Sequence, residues 1–196
     1  VDKGHNAIGF DTDYYKECEL EHSNLVIRHI KKDIRNLSYR DLEDVDAIIH
    51  LAALSNDPLG EFDKKLTYDI NYHATLNLAK LAKKQGVKRF VYASTQSMYG
   101  ISDQDIELDE DKSLKNPLTA YAKTKWDAEC GLKKLGSDEF IVSCFRPSTV
   151  FGVSPNLRCD IAFNNFMACA YTTGKIEVKS DGTPWRPVVH VKDVCS

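Results

Sequence analysis

The sequence predicts an α/β fold built on a doubly wound, mainly parallel sheet with helices on both of its faces. Three observations lead to this class. Short apolar runs of strand length alternate with longer segments of helical periodicity. One of the runs, "KRFVYAST", is almost continuously apolar, which is typical of a strand covered on both faces. The chain has 196 residues, of which 42% are hydrophobic, and this is enough to bury one sizeable core.

The first half of the chain contains three predicted strands and a long helix. The strands are "HNAIGFD", which ends on Asp11, then "LVIRHI" and "DAIIHLAA". Ser38 is suited to cap a short helix that precedes the third strand. Between Glu61 and Gln85 apolar residues recur mostly at every fourth position, so one stripe of a helix faces a core, and Gly86 ends that helix.

The second half continues this alternation as far as Gly152. The strand "KRFVYAST" is followed by a helix that contains "AYAKTK" and ends near Gly136, and then by the strand "FIVSCFRP". Beyond Gly152 the pattern loosens: "DIAFNNFMACAYTTG" predicts a helix, and "KIEVKS" and "RPVVHV" predict short strands. We therefore expect one domain over residues 1–152, and over residues 153–196 part of a smaller lobe with a returning sheet strand.

Charge and cysteine content argue against several classes of function. The formal net charge of −3 is too small to predict a nucleic-acid or membrane surface. The six cysteines form no C-x-x-C pair and no metal-like cluster, so we expect reduced thiols, a cytoplasmic location and no bound metal. No apolar run approaches the roughly 18 residues of a membrane-spanning helix.

Candidate ligand-binding residues follow the predicted strands. In a doubly wound sheet, ligands bind at the carboxyl ends of the strands. The residues at such ends are Asp11, those after Ala53, Ser94 with Thr95, and residues 146–149. Their shared position predicts a binding site at this edge of the sheet.

The most distinctive pair is Tyr121 and Lys125, which lie four residues apart in a predicted helix. This spacing places both side chains on one helix face. A tyrosine with an ordinary pKa of about 10 is a weak base at neutral pH, but a neighbouring ammonium stabilises the phenolate. The pair therefore suits proton abstraction, although a tyrosine and a lysine can also share an exposed helix face by chance.

Eight segments spread over nearly the whole chain carry one pattern; they are "FD" (10–11), "DIR" (33–35), "HLAA" (50–53), "YDINYHATLNLAKLA" (68–82), "YASTQSMYG" (92–100), "YAKTK" (121–125), "FRPSTVFG" (145–152) and "DGTPWRPVVHVKDV" (181–194). Together they resemble the extended short-chain dehydrogenase/reductase superfamily, and within it the NAD-dependent epimerase/dehydratase family that acts on nucleotide sugars. The resemblance implies a Rossmann-type sheet. In that family a glycine-rich turn that cradles the pyrophosphate precedes the position of Asp11. We therefore expect this chain to be an N-terminally truncated piece of a longer protein, to which the functional expectations apply.

The resemblance implies three catalytic residues. Tyr121 matches the family's base, and Lys125 matches the lysine that also holds the nicotinamide ribose. Thr95 matches the Ser/Thr whose hydroxyl bonds the reacting sugar oxygen, and a shift of one place in the alignment would exchange it with Ser94.

The resemblance also implies NAD as the cofactor. Asp11 stands where a carboxylate accepts both hydroxyls of the adenosine ribose, and its charge would repel the 2′-phosphate of NADP. Asp33 could instead be a surface acid, and Asn71 could steady the catalytic strand or the nicotinamide region. The expected cofactor contacts are Asp11, Asp33, Ile34, Leu51, Ala52, Ala53, Asn71, Tyr121, Lys125 and Ser148.

The substrate that the resemblance implies is a nucleoside-diphosphate sugar. Arg186 matches the family arginine that contacts the diphosphate, for which a guanidinium is well shaped. Asn165, with Asn164 as a rival, is expected at the phosphates or the sugar. Thr149 stands where many epimerases carry an asparagine. The expected substrate contacts are therefore Thr95, Thr149, Asn165 and Arg186.

Two departures from the family pattern narrow the expected reaction. Sugar-nucleotide 4,6-dehydratases of the family place an Asp-Glu pair directly after the catalytic threonine, whereas this chain has Gln96 and Ser97, neither an effective acid or base. We therefore expect NAD-dependent epimerisation of the sugar through a transient ketone. A nucleotide-sugar reductase or dehydrogenase and a non-catalytic NAD-binding regulator are the alternatives. The resemblance also implies a homodimer, formed through the helices of Glu61–Gln85 and Thr119–Leu135.

Overall fold

The computed structural model describes residues 4–20, 27–55, 57–101, 107–178, 180–182 and 187–196. These residues form two compact units. The larger unit contains Ile8–Thr12 and His29–Arg146, and the smaller one contains the described residues of 1–7, 13–28 and 147–196. None of the helices within the described ranges is long and apolar enough to cross a membrane.

A three-stranded parallel sheet lies at the centre of the larger unit. Its strands, in the order β3-β4-β5, are β3 (Ala47–His50), β4 (Arg89–Ala93) and β5 (Ile141–Phe145). The strands β1 (Ile8–Asp11) and β2 (Arg28–Lys31) pair in a separate two-stranded sheet. The parallel strands confirm the α/β class and bring the carboxyl ends of β3, β4 and β5 to one edge.

The predicted helix of Glu61–Gln85 exists, but it consists of several pieces. Its pieces are α1 (Asp57–Phe62), α2 (Lys64–Tyr68), a π-helical segment (Asp69–Ala74) and α3 (Thr75–Gln85). A step of four residues over-rotates by about 40° on an ideal α-helix, so apolar residues at every fourth position would drift off one face. The wider π turn compensates for this drift, and Gly86 ends α3 with a left-handed φ of 85°, as predicted.

Helix α4 (Ala120–Leu135) packs beside α3 on one face of the sheet. Thr119 caps it by accepting a hydrogen bond from the Ala122 N–H at 3.2 Å. Each large apolar side chain buried here contributes roughly 1.5–3 kcal/mol. The core between these helices and the sheet is formed by Leu78, Ala79, Ala82, Phe90, Tyr92, Ala128, Leu132 and Phe140.

The opposite face of the three-stranded sheet is open to solvent. Ile49 is 70% exposed, Leu51 69% and Phe145 62%. Over the described residues of the larger unit, helices therefore cover one face of this sheet. The doubly wound arrangement, with helices on both faces, stays a prediction for the whole protein.

The smaller unit contains a second parallel pair, β6 (Thr149–Phe151) and β7 (Val188–His190). Its helices are α5 (Ala162–Thr173) and α6 (Val191–Cys195). Phe151 packs against Phe163 and against the ring of His190. The predicted helix over "DIAFNNFMACAYTTG" and the strand in "RPVVHV" are confirmed.

The predicted strand in "KIEVKS" is wrong over its described part. Residues 175–178 are irregular, and Ile176 and Val178 are 57% and 58% exposed. Two alternating apolar residues suggested a strand, but among the described residues no sheet covers them, and burial against a sheet is what makes such a pattern a strand.

Candidate active site

The buried lysine of α4 reaches the carboxyl end of β4. Lys125 is 3% exposed, and its Nζ donates a hydrogen bond of 2.6 Å to the carbonyl oxygen of Ala93, the last residue of β4. The same nitrogen lies 4.5 Å from the centre of the Tyr92 ring. Thr95, which is 6% exposed, follows two residues after Ala93. The ammonium and the expected catalytic threonine therefore share one end of β4.

Burial shapes the electrostatics of this lysine. It lowers the pKa of Lys125 from 10.5 to about 8, because the ammonium loses most of its hydration. Among the described residues, the three N–H donors of the ammonium have one hydrogen-bond acceptor, the Ala93 carbonyl. The remaining donors suit a ligand that brings hydroxyl oxygens to this point.

Tyr121 lies one turn before Lys125 on α4 and is half-buried. The Gly60 backbone of α1 packs against it, so that a Cβ added to Gly60 would lie 3.7 Å from the Tyr121 Cβ. The pKa of the Tyr92 phenol is raised mainly by burial, and the charge of Tyr121 raises it further. Lys125 reaches the Tyr92 ring of β4, and Tyr121, four residues earlier on α4, lies on the same face of the helix.

Thr95 caps the short 3-10 helix Gln96–Tyr99. Its Oγ1 accepts a hydrogen bond from the Ser97 N–H and donates one to the Ser97 Oγ, both at 3.2 Å. Gln96 and Ser97, which follow Thr95 in the sequence, are the first two residues of this helix. The threonine hydroxyl is thus held in place by its own loop.

Asn71 fastens α4 to the loop that follows β3. It lies in the π-helical segment and is 1% exposed. Its Oδ1 accepts from the Leu54 N–H at 2.8 Å, and its Nδ2 donates to the Leu54 carbonyl and to Thr124 Oγ1. The Thr124 hydroxyl in turn donates to the carbonyl oxygen of Tyr121 at 2.9 Å. These bonds supply the partners that a buried amide requires, and π segments are frequent at functional sites.

The expected adenosine-binding residues lie near the ends of β1 and β2. Asp11 ends β1 and is exposed. Asp33 accepts hydrogen bonds from the N–H and guanidinium of Arg35, and those side-chain bonds lower its pKa. Ile34 is buried in the core cluster. Asp33 is thus held in a local ion pair with Arg35, and its expected contact with the cofactor stays a prediction.

The residues after β3 present backbone and small side chains at the sheet edge. Leu51 is 69% exposed, whereas Ala52 and Ala53 are half-buried. Alanine at these places leaves the backbone accessible to a flat or extended ligand.

The expected substrate residues on α5 already have protein partners. Asn165 Nδ2 donates to the Cys159 carbonyl at 3.1 Å. Asn164 accepts from the Gly152 N–H at 3.2 Å and donates to the Arg158 carbonyl at 2.9 Å. Both amides tie the loop before α5 to the helix, and the expected contact of Asn165 with the phosphates or the sugar stays a prediction.

Ser148 and Thr149 are half-buried, and Thr149 is the first residue of β6. They and the asparagines of α5 belong to the smaller unit, and their expected contacts with cofactor and substrate stay predictions. Arg186 lies outside the described residues, and its expected contact with a diphosphate stays a prediction.

A buried charged residue that the sequence analysis did not single out lies further along α4. Glu129 is 0% exposed and accepts hydrogen bonds from Ser94, Arg146 and Lys133. Burial raises the pKa of Glu129, but the hydrogen bonds from these partners outweigh it and lower the pKa to about 2. The spacing of Tyr121, Lys125 and Glu129 by four residues was the available signal, since a charge on a buried helix face needs a partner.

A parallel sheet with a tyrosine–lysine pair on the helix that faces it is typical of extended short-chain dehydrogenases/reductases. A family model described as the NAD dependent epimerase/dehydratase family matches residues 1–196. The chain belongs to this family. The resemblance drawn from the eight segments is thereby confirmed.

Individual relatives include epimerases and dehydratases. The UDP-glucuronate 4-epimerase of Thermodesulfobacterium geofontis is 31% identical over 202 residues, which cover 99% of this chain and 60% of the relative. The dTDP-D-glucose 4,6-dehydratase of Mus musculus is 30% identical over 156 residues, 79% of this chain and 42% of the relative. The chain thus spans about 60% or less of the length of these relatives.

Solved structures are similar over most of the chain. MoeE5 in complex with UDP-glucose and NAD matches 98% of this chain and 62% of its own, with a TM-score of 0.80 and 30% identity. A double mutant of DesIV, a dTDP-glucose 4,6-dehydratase of Streptomyces venezuelae with NAD bound, matches 88% of this chain and 53% of its own, with a TM-score of 0.75 and 26% identity. The described fold is therefore part of a Rossmann-type fold, and structural neighbours of the chain bind NAD.

Proposed function

We propose that the protein is an NAD-dependent epimerase of nucleoside-diphosphate sugars that works through a transient ketone. The observation that carries this proposal is the placement of Lys125. Its buried ammonium lies at the end of β4 beside Thr95, on the helix face that also carries Tyr121. A cation, a phenol and a hydroxyl at the carboxyl edge of a parallel sheet suit proton removal from an alcohol.

The residues present fit NAD. The ammonium of Lys125 would hold the nicotinamide ribose, since its other N–H donors lack acceptors among the described residues. Asp11, at the end of β1, would accept the hydroxyls of the adenosine ribose, and the backbone at Ala52 and Ala53 would border the dinucleotide. When bound, NAD supplies a hydride acceptor that returns the hydride in each cycle.

The chain's own residues move the proton. Tyr121, as phenolate, takes the proton of a sugar hydroxyl, and the ammonium of Lys125 stabilises the phenolate. The Thr95 hydroxyl bonds the sugar oxygen, so that the oxygen stays in place as the C–H and O–H bonds break. After the ketone has turned over within the site, the proton returns from Tyr121 to the oxygen, and the hydride that bound NAD would supply would add to the other face of the carbon.

Epimerisation is favoured over dehydration by Gln96 and Ser97. Expelling the sugar's 6-hydroxyl requires a proton donor near the threonine, and neither side chain is an effective acid. The Ser97 hydroxyl and N–H are also hydrogen-bonded to Thr95. A net reductase or dehydrogenase would use the same Tyr121 and Lys125 but would consume cofactor. A regulator that only binds NAD would not need the pair, and both residues are present here.

One assay separates these functions. The full-length gene product is incubated with a panel of nucleotide sugars and a small amount of NAD, and products are followed by proton NMR and absorbance at about 340 nm. We expect an epimer without accumulation of NADH. One NADH per sugar would show a net oxidoreductase, a 4-keto-6-deoxy sugar would show a dehydratase, and NAD binding without any reaction would show a regulator.

A further inference from the structure

The Thr95 loop, residues 94–99, is hydrogen-bonded at its first residue, Ser94, to α4 and to β5. The Ser94 Oγ donates a hydrogen bond of 2.7 Å to Glu129 Oε2. The Ser94 N–H donates to the carbonyl oxygen of Phe145, at the end of β5, also at 2.7 Å. Ser94 is 3% exposed, so these bonds are made away from water.

The same loop is tied at its last helical residue, Tyr99, by a different side chain. Arg146 Nη1 donates to the Tyr99 hydroxyl at 2.8 Å, and the guanidinium lies 5.7 Å from the centre of the Tyr99 ring. Between the two tethers lies the 3-10 helix Gln96–Tyr99 that Thr95 caps.

The two tethers end on one buried ion pair. Arg146 donates to both oxygens of Glu129, from Nη2 at 2.6 Å and from Nε at 3.2 Å. The two side chains are 9% and 0% exposed. A bidentate pair of this kind restricts both partners to one geometry, which an exposed pair does not.

Glu129 also lies on the helix that carries the rest of the proposed site. Tyr121, Lys125 and Glu129 follow each other at intervals of four residues along α4. One helix therefore presents the base, the cation and the anchor of the threonine loop to the ends of β4 and β5.

We propose that Glu129 and Arg146 are positioning residues, whose ion pair clamps both ends of the Thr95 loop and so sets where the Thr95 hydroxyl lies relative to Tyr121. This inference rests on the proposed function, in which both groups bond one sugar oxygen. Proton transfer requires heavy-atom distances of roughly 2.6–3.2 Å, and a misplacement of about 1 Å can cost roughly a hundredfold in rate.

The test removes the tethers without leaving a buried charge unpaired. Ser94→Ala deletes the bond to Glu129. Tyr99→Phe deletes the bond to Arg146, whose Nη1 keeps the Glu110 carbonyl at 2.7 Å. Tyr68→Phe is the matched control, because it removes a phenol that bonds Asp127 on α4 at 3.3 Å but has no link to the loop.

We expect each tether variant of the full-length gene product to lower kcat per NAD-bound site about 3- to 10-fold, and the double variant about 30-fold or more, with KM changed less than about twofold. The solvent deuterium isotope effect on kcat should rise in the double variant, because proton transfer becomes limiting. A mere loss of folded protein would leave that isotope effect unchanged. Tyr68→Phe should match the wild type in all three quantities.

Hydrogen exchange of the backbone amides tests the clamp without a measurement of turnover. In the double variant the amides of Gln96–Tyr99 should exchange at least about tenfold faster than in the wild type, while those of α3 should not change. An unchanged kcat, an unchanged isotope effect or unchanged exchange of the loop would overturn the clamp. If the wild type turns over no sugar, the proposed function is wrong, and the exchange rates alone decide whether the pair orders the loop.

Discussion

At the scale of single residues, the phenol of Tyr121 is the group on which the proposed chemistry depends. Replacing it by Tyr121→Phe keeps the ring and removes the proton acceptor, so we expect turnover of the full-length gene product to fall by roughly 10²–10⁴. Steady-state epimerisation measures this, with Tyr68→Phe as the control that keeps normal turnover. Near-normal activity of the Tyr121 variant would refute the assignment of the base.

His50 makes folding stability depend on pH. It is 3% exposed and lies 2.8 Å from the Thr75 hydroxyl, and burial, then the charge of Lys125, lowers its pKa from 6.5 to about 3. Below pH 6.5 the unfolded chain binds a proton that the folded chain does not, so stability falls as pH drops from 6.5 towards 3. Between pH 7 and 5 we expect this residue to cost about 2 kcal/mol.

Urea unfolding of the wild type and of His50→Gln at the two pH values checks this. The amide of Gln in the variant does not titrate. Between pH 7 and 5 the unfolding free energy of the variant should therefore fall by about 2 kcal/mol less than that of the wild type. Equal losses in both proteins would show that the imidazole is protonated in the folded state.

Single residues also show what the sequence could predict about the site. The position of Lys125 and Thr95 at one end of β4 could be predicted, because helical periodicity and strand ends can be recognised from short stretches of sequence. The clamp of Glu129 and Arg146 was missed, since it joins residues far apart in sequence, and only the packing of α4 on β5 brings them together.

At the scale of elements, the turn after the Thr95 loop requires glycine. Gly100 ends the 3-10 helix with a φ of 69°, and a Cβ there would collide with the carbonyl oxygen of Asn116. Gly86 ends α3 with a φ of 85°, but its Cβ would meet no atom within 4 Å. Gly100→Ala should therefore lower the unfolding free energy by about 3 kcal/mol or more, because strain and overpacking add.

Gly86→Ala is the matched variant and should cost only about 1–2 kcal/mol, from the left-handed conformation alone. Denaturant unfolding of both proteins compares the two costs. Equal losses would mean that Asn116 moves aside easily and that the turn after the loop is not tightly packed.

The elements also separate what periodicity can predict from what it cannot. The long helix up to Gln85 was predicted because its apolar stripe is strong, yet the π-helical segment was not, since a repeat of apolar residues does not distinguish a π turn from an α turn. The apolar alternation around Ile176 predicted a strand that does not form over residues 175–178, where no strand from the described part of the chain pairs with it.

At the scale of the whole molecule, the family predicted from motifs is confirmed, whereas the helices expected on both faces of the sheet lie on one face over the described residues. The chain spans 60% of the UDP-glucuronate 4-epimerase that it matches. The exposed face of β3 and β5 shows apolar side chains at Ile49 and Phe145, which a doubly wound fold would bury. Motifs report residues at strand ends, and they do not report which segments cover a sheet.

The quaternary structure is a further prediction at this scale. We propose a homodimer formed through the helices of Glu61–Gln85 and Thr119–Leu135, as the family resemblance implies. Leu78 and Leu132 are buried in the protein's own core, so the contact would use the outer faces of these helices. Size-exclusion chromatography with light scattering on the full-length gene product should give twice the chain mass, and a clean monomer would reject the proposal.

In the proposed mechanism a hydride leaves one sugar carbon and returns to it within a single site. Proton NMR of the epimerisation in D₂O tests it most directly, because a hydride carried by NAD does not exchange with solvent. We expect an epimer whose inverted carbon still carries protium, with no accumulation of NADH. Deuterium at that carbon, or a dehydrated product in place of the epimer, would contradict it.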